Sequence, residues 1–253
     1  INEDDVTNGL RFAGAGSPSI KPFIREVTRA VPDPGGLGSV YDAWFATATG
    51  DTLALQLDDL GGGSDFTPFS HHLGIPSGSF SFGGPSGVYH SMYDSYAWMS
   101  RFGDPGFREH QAVAQLVTVA LARLANAEVL PFDYWAFGIE MMTLAAQIDA
   151  GIGAHRWNIE TGALWRALVD FTYAGEAFAT ARDSALAVGL DTARAARANH
   201  WLMQVERRLT RPQGLVNRPW FRSLEFASDI DNGYSTIAFP SVAEAIRYAL
   251  SRW

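Results

Sequence analysis

The residues best suited to chemistry lie in the stretch 83–99, GGPSGVYHSMYDSYAWM, where His90 follows a glycine-rich turn and stands between the tyrosines Tyr89 and Tyr93. A neutral imidazole binds zinc through one ring nitrogen and needs its other N–H held by an acceptor. A polar and aromatic, water-excluding wall therefore suits a metal site. The same surroundings suit a hydrogen-bonded core histidine. Asp94 follows His90 by four residues; on a helix it would share that face and could hold the second ring nitrogen, or it could cap a turn or face water.

Composition narrows the chemistry. The 253 residues include no cysteine, so a metal must rest on His, Asp and Glu, and no disulfide or thiolate nucleophile is available. A net charge of -8, with no run of basic residues, argues against a nucleic-acid partner. The most apolar segment, residues 112–125, is interrupted by Gln115, Thr118 and Arg123 and is too short to span a bilayer. With 47% hydrophobic residues the chain can fill one large core or two ordinary ones.

The elements that must position these residues read as follows. Residues 1–5 look like the carboxyl end of a strand running into an acidic loop, the edge at which open α/β sheets bind ligands. Residues 19–31 carry Ile20, Phe23, Ile24, Val27 and Val31 at helical spacing, with Pro32 ending the pattern. Residues 40–46 stay unassigned, 53–57 suggest a strand, and 77–82 alternate with period two as a further strand. Gly61-Gly62-Gly63-Ser64 opens a helix over 65–73. Backbone N–H groups of such a turn favour carboxylates and developing oxyanions, although a glycine triplet also serves as a plain tight turn. His71 and His72 read as helix surface or packing.

Asp104-Pro105 marks a helix start, after which Val113, Leu116, Val117, Ala120, Leu121 and Leu124 trace one stripe. Helices then cover 133–148, about 158–188 ended by Gly189, and 191–209, with a loop over 227–238. Ser241 and Glu244 form a capping box for the last helix. The α/β pattern gives way to helices near 127–131.

The YHSMYDSY stretch, together with GGGSDFTPFSHHLGIPS, RFGDPGFREHQAVAQL, LANAEVLPFDY and NRPWFRSLEFASDIDNGYSTIAFPSVAEAIRYA, resembles the glutamate carboxypeptidase II and transferrin receptor family. The likeness runs from INEDD nearly to the end. It implies an α/β partial zinc-peptidase domain over 1–127, a mixed sheet with flanking helices, followed by an all-α dimerisation domain over 128–253. It makes His90 the ligand of one zinc and Asp4 the ligand of the other, where Asp4 alone would read as part of a solvated turn. Tyr89 becomes the donor to the tetrahedral intermediate, and Gly63 and Ser64 line the substrate cleft. Tyr234 and Asn232 are candidates for a substrate carboxylate. Gly233 stands where the family carries a lysine, so strict preference for terminal glutamate is not expected.

By the same resemblance the complete protein is a two-zinc exopeptidase acting on peptides, a homodimer through its helical domain, and secreted or periplasmic. The chain reads as a fragment: the family places the glutamate base and the remaining zinc ligands before the segment that begins here, so these residues alone are expected to be inactive. The competing class is a non-catalytic receptor-like scaffold that keeps fold and dimer without zinc; retention of both Asp4 and His90 favours the peptidase. A serine hydrolase is weaker, because no G-x-S-x-G elbow occurs.

Overall fold

The computed structural model describes residues 1–48 and 55–249. Two compact units emerge: Ile1–Gly16, Phe23–Asp58 and Gly78–Ala127 form the first, and Ser17–Pro22, Asp59–Ser77 and Glu128–Trp253 the second.

In the first unit, β1 (Arg11–Gly16) pairs antiparallel with β2 (Gly78–Gly83), Phe12 opposite Phe82 and Gly14 opposite Phe80. Alternation in β2 buries Gly78, Phe80 and Phe82 on one side, as its period predicts. Single parallel bridges flank the ladder, Thr7 to Phe82 and Ala15 to Asp58. The mixed sheet expected from the resemblance is thus, among the described residues, a two-stranded antiparallel ladder with one parallel bridge at each edge. Residues 1–5 form no strand; the Asn2 N–H donates to Gly78 O at 3.0 Å and the chain turns away. The strand suggested at 53–57 falls partly outside the described residues, and 55–57 are irregular.

Helix α1 (Lys21–Thr28) buries Phe23, Ile24 and Val27, so its apolar face is the one the spacing marks. The unassigned apolar segment is helix α2 (Val40–Thr47), closed by a capping box in which Ser39 and Asp42 exchange hydrogen bonds. Trp44 of α2 meets Phe12 of β1 edge-on, ring centroids 5.1 Å apart.

After the short helix α3 (Tyr96–Trp98) comes α4 (Arg108–Ala125), which packs on β2. Its buried residues are Glu109, Ala112, Val113, Leu116 and Ala120, whereas Leu121 is 52% exposed. Eight residues at 100° each carry Leu121 about 80° round the helix from Val113, so the longer stripe read from sequence drifts off the core. Nor does α4 start at Asp104. Phe107, at φ 55°, is its N-cap, and the buried Asp104 carboxylate reaches forward to the Arg108 and His110 N–H groups, both at 2.9 Å.

The second unit is built on α5 (Tyr134–Ala154) and α6 (Gly162–Val188). Asp133 caps α5 by accepting from the Ala136 N–H at 2.8 Å. The two helices approach closely at Gly138 and Gly175: a Cβ on Gly138 would stand 2.1 Å from Thr172 Oγ1, and one on Gly175 2.6 Å from the Trp135 nitrogen. Around Tyr134, Phe137 and Met141 a core gathers Val129, Phe132, Leu202 and Phe226.

Helix α7 (Thr192–Leu202), capped by Asp191, stops short of the expected 209; a 3₁₀ turn, Glu206–Leu209, follows. The expected loop at 227–238 is a hairpin, β3 (Phe226–Ser228) with β4 (Thr236–Ala238). Helix α8 (Pro240–Ala249) lacks the expected capping box, because Glu244 pairs with Arg218 instead and, among the described residues, Ser241 Oγ is buried without a hydrogen bond.

Candidate active site

Asp4, Tyr89 and His90 belong to the first unit; Gly63, Ser64, Asn232 and Tyr234 belong to the second. In the first, the glycine-rich turn after β2 delivers the chain to a pair of reverse turns, with Ser91 N–H on Val88 O at 2.9 Å and Asp94 N–H on Ser91 O at 3.1 Å. His90 occupies the left-handed region at φ 58°, a conformation that a side chain with a Cβ seldom adopts unless the fold imposes it. Its ring stacks on Tyr89, centroids 3.8 Å apart.

His90 is exposed, and Tyr89 and Tyr93 are 53% and 71% exposed, so the core-histidine reading and the water-excluding wall are both overturned. One tyrosine covers the imidazole. Asp94 is exposed on a turn and shares no helical face with His90.

Asp4 is exposed in the acidic loop that precedes β1. Its neighbour Glu3 points inward and accepts the Phe80 N–H at 3.1 Å. Burial pushes the Glu3 carboxyl up to about 8, partly offset by that hydrogen bond. Glu3 was not singled out from sequence, although it lies one residue from Asp4. Its role is to bind the loop to β2 from the core side while its neighbour faces out. Among the described residues no group of three His, Asp or Glu side chains comes together to hold a metal. Two protein donors do not close a tetrahedral zinc site, so the residues of this chain do not by themselves fit a zinc pair.

A second group in the first unit was read only as a cap. The buried Asp104 carboxylate also accepts the His110 Nδ1–H at 2.7 Å. Burial would raise it, but hydrogen bonds from Glu109 and His110 hold it down at about 2, while burial and the shared contact with Asp104 push Glu109 up to about 7. The pair fixes the start of α4 and the orientation of the imidazole. An Asp six residues before a His is too common a pattern to be found from sequence.

In the second unit the glycine triplet and the hairpin tip come together. The Gly62 N–H donates to Tyr234 O at 2.8 Å, and a Cβ on Gly61 would stand 1.9 Å from that same oxygen. Gly63, at φ 78°, lies under the Tyr234 ring, whose nearest carbon would be 2.6 Å from an added Cβ. No residue but glycine permits either approach. Thr236 Oγ1 donates to Asp59 O at 3.1 Å and ties the strand after the tip to the residues leading into the triplet.

The helix expected from 65 is reduced to a π-helical turn, Pro68–His72, and Ser64 O accepts the Thr67 N–H at 3.1 Å. Asn232 does not project from the tip: its Oδ1 accepts the N–H groups of Tyr234 at 2.9 Å and Ser235 at 2.8 Å, and its Nδ2 donates to Ser235 Oγ. Tyr234 is 55% exposed, with its ring edge available. The hairpin is anchored to α8 by Arg247, which meets Asp229 at 2.8 Å and Asp231 at 3.0 Å.

Residues 159–253 match the transferrin receptor-like dimerisation domain. The chain is 30% identical over 247 residues to the probable glutamate carboxypeptidase LAMP1 of Arabidopsis thaliana, covering 97% of the chain and 35% of that protein. It is 32% identical over 258 residues to the probable glutamate carboxypeptidase VP8 of Zea mays, with 97% and 34% covered. To the aminopeptidase NAALADL1 of Mus musculus it is 29% identical over 265 residues, with 97% and 35% covered. The chain therefore spans about a third of the length of these relatives. These likenesses, running through the His90 turn, the glycine triplet and the hairpin to the last helix, identify the chain as a member of the transferrin receptor-like peptidase family.

Proposed function

We propose that the chain is the C-terminal part of a two-zinc exopeptidase, with residues 1–127 completing an α/β zinc-peptidase domain and 128–253 forming a helical dimerisation domain. The observation that carries this reading is the seating of Tyr234 on Gly63, two residues that the resemblance assigns to one substrate cleft and that lie far apart in sequence. Identity along 97% of the chain to proteins named as glutamate carboxypeptidases and an aminopeptidase supports it.

In this reading Asp4 and His90 each supply one ligand to a different zinc. Tyr89, stacked on His90, donates its phenolic hydrogen to the oxyanion that develops on the scissile carbonyl. The Gly63 and Ser64 backbone and the Tyr234 ring edge bound the substrate. The Asn232 amide acts by holding the turn that presents Tyr234 rather than by touching substrate. Gly233 offers no cation, so terminal glutamate is not required. One ligand per metal leaves the chain alone without stable zinc and without activity. A homodimer through the helical domain follows from the dimerisation-domain match, and Tyr173 and Val188 on α6, 68% and 86% exposed, give it apolar surface to cover.

Elemental mass spectrometry on the purified protein that contains this chain, reconstituted with zinc, tests the assignment. About two zinc ions per chain are expected, falling when His90→Ala or Asp4→Ala is introduced. Absence of bound zinc would sink the peptidase in favour of the receptor-like scaffold, which keeps fold and dimer without metal.

A further inference from the structure

The second unit contains a buried polar cluster that neither the zinc chemistry nor the substrate cleft uses. Glu206 opens the 3₁₀ turn and Glu225 immediately precedes β3; they are 4% and 7% exposed. With His71 of the π-helical turn, and with Ser17 and Ser223, they line a cavity of about 10 Å³, room for one water-sized sphere.

The hydrogen-bond inventory around this cavity is incomplete in a particular way. His71, 1% exposed, points its Nε2 at Leu60 O, 3.2 Å away. A carbonyl only accepts, so Nε2 carries the hydrogen and Nδ1 is a bare acceptor. Among the described residues that Nδ1 is buried without a partner. Ser19 Oγ donates to Glu206 Oε1, leaving the other Glu206 oxygen for the cavity side. Ser17 and Ser223 already accept backbone N–H groups, from Ser77 at 3.1 Å and from Glu225 at 3.2 Å. What the cavity lacks is a donor to Nδ1 and a partner for the carboxyl groups, and one water molecule supplies both.

We propose that this cavity binds a single ordered water, which donates to His71 Nδ1 and to a carboxyl oxygen and accepts the O–H of a protonated glutamic acid, so that Glu206 and Glu225 are held uncharged inside the second unit. Two facing carboxylates in a dry interior repel, and neutralising them is the inexpensive alternative. The arrangement is a water and proton site, for among the described residues no three His, Asp or Glu side chains converge for a metal.

Among the described residues no arginine, lysine or histidine forms an ion pair with either carboxyl, although Arg222, whose N–H donates to His71 O at 2.8 Å, lies beside the cavity. Tyr134 of α5 lies near both carboxyls and its hydroxyl donates to Leu202 O at 2.9 Å. The electrostatic neighbour of Glu225 is Glu206 itself. Arg218 acts on His71, and its own partner is Glu244. Burial pushes Glu206 up to about 7 and Glu225 well above the usual glutamate range, and burial holds His71 down at about 4.

The sign follows. A carboxyl raised in the folded state keeps a proton that the unfolded chain has released, so its contribution is whole below the ordinary glutamate value and is lost as pH rises through the folded one. His71 works the other way, losing stability as pH falls below its ordinary value towards about 4, and is silent above neutrality. Within this cluster the two glutamates therefore act without His71 at mildly alkaline pH, and comparison with a variant at Glu225 removes the contribution of raised carboxyls elsewhere, such as Glu3 and Glu109.

Two measurements on the 253-residue chain decide the matter. Urea unfolding between pH 6.5 and 8 should show the wild type losing more of its folded-to-unfolded ratio per pH unit than Glu225→Gln, an isosteric amide that cannot ionise, by up to about tenfold, the ceiling for one linked proton. A crystal structure of the wild type near pH 6 should show one water within hydrogen-bond distance of His71 Nδ1, a result independent of whether the variant folds. Parallel pH profiles for wild type and variant, or an empty cavity in density that resolves other buried waters, would overturn the proposal.

Discussion

His90 and His71 occupy turns in different units and meet opposite environments. His90 is exposed, in a left-handed backbone conformation, with a tyrosine on one face. His71 is buried between Phe66 and Phe221, ring centroids 6.1 and 6.2 Å away, and donates to a main-chain carbonyl. The first spends backbone strain to present a ring nitrogen outward; the second holds a segment in place. Residue type alone does not separate them, since both are histidines with aromatic residues nearby, and the difference lies in which backbone each one has to obey.

Perturbing the buried side should change stability, and perturbing the exposed side should change metal binding with little cost in stability. The largest effect is expected from Arg218→Ala, which leaves Glu244 half of a broken buried ion pair. Urea titration should show a loss of about 3–5 kcal/mol, and a loss below about 1 kcal/mol would mean that water replaces the guanidinium freely. Next is His71→Ala, which removes ring packing and leaves Leu60 O without its donor. A loss of about 2–4 kcal/mol is expected with the zinc content of the complete protein unchanged, and a fall in that zinc would make His71 a second functional histidine and dissolve the contrast.

The smallest effect carries the opposite sign. His90→Gly relieves the left-handed strain and should stabilise the chain by about 1 kcal/mol or less, read as a higher urea midpoint, while the complete protein carrying the same change should lose the zinc that His90 serves. Destabilisation by that variant would show that the Tyr89 stack, rather than strain, governs the turn.

Much of the architecture was legible. Asp133, Gly189 and Asp191 mark the ends of long helices because capping and left-handed termination are local physics, and the period-two run at 77–82 is a strand for the same reason. The apolar run at 40–46 was not assigned, although Ser39 and Asp42 carry the spacing of a reciprocal cap. Ser241 and Glu244 carry a similar pattern and make no cap, because Arg218 recruits the glutamate from elsewhere in the fold. The spacing is local, whereas the competition for a carboxylate is tertiary.

By itself the sequence determined the absence of thiol chemistry, the amphipathic faces of α1 and β2, the starts of α5 and α7 and the stop of α6, and, through resemblance, the family. Only the tertiary structure decided that His90 is exposed and strained while His71 is buried, and that Gly61–Gly63 and Tyr234 meet. It alone brought Glu206, Glu225 and His71 around one water-sized space. Periodicity and capping act over a few residues and leave a mark in the chain. Burial, carboxyl repulsion and close backbone approach arise between segments far apart in sequence, and they exist only once the chain has folded.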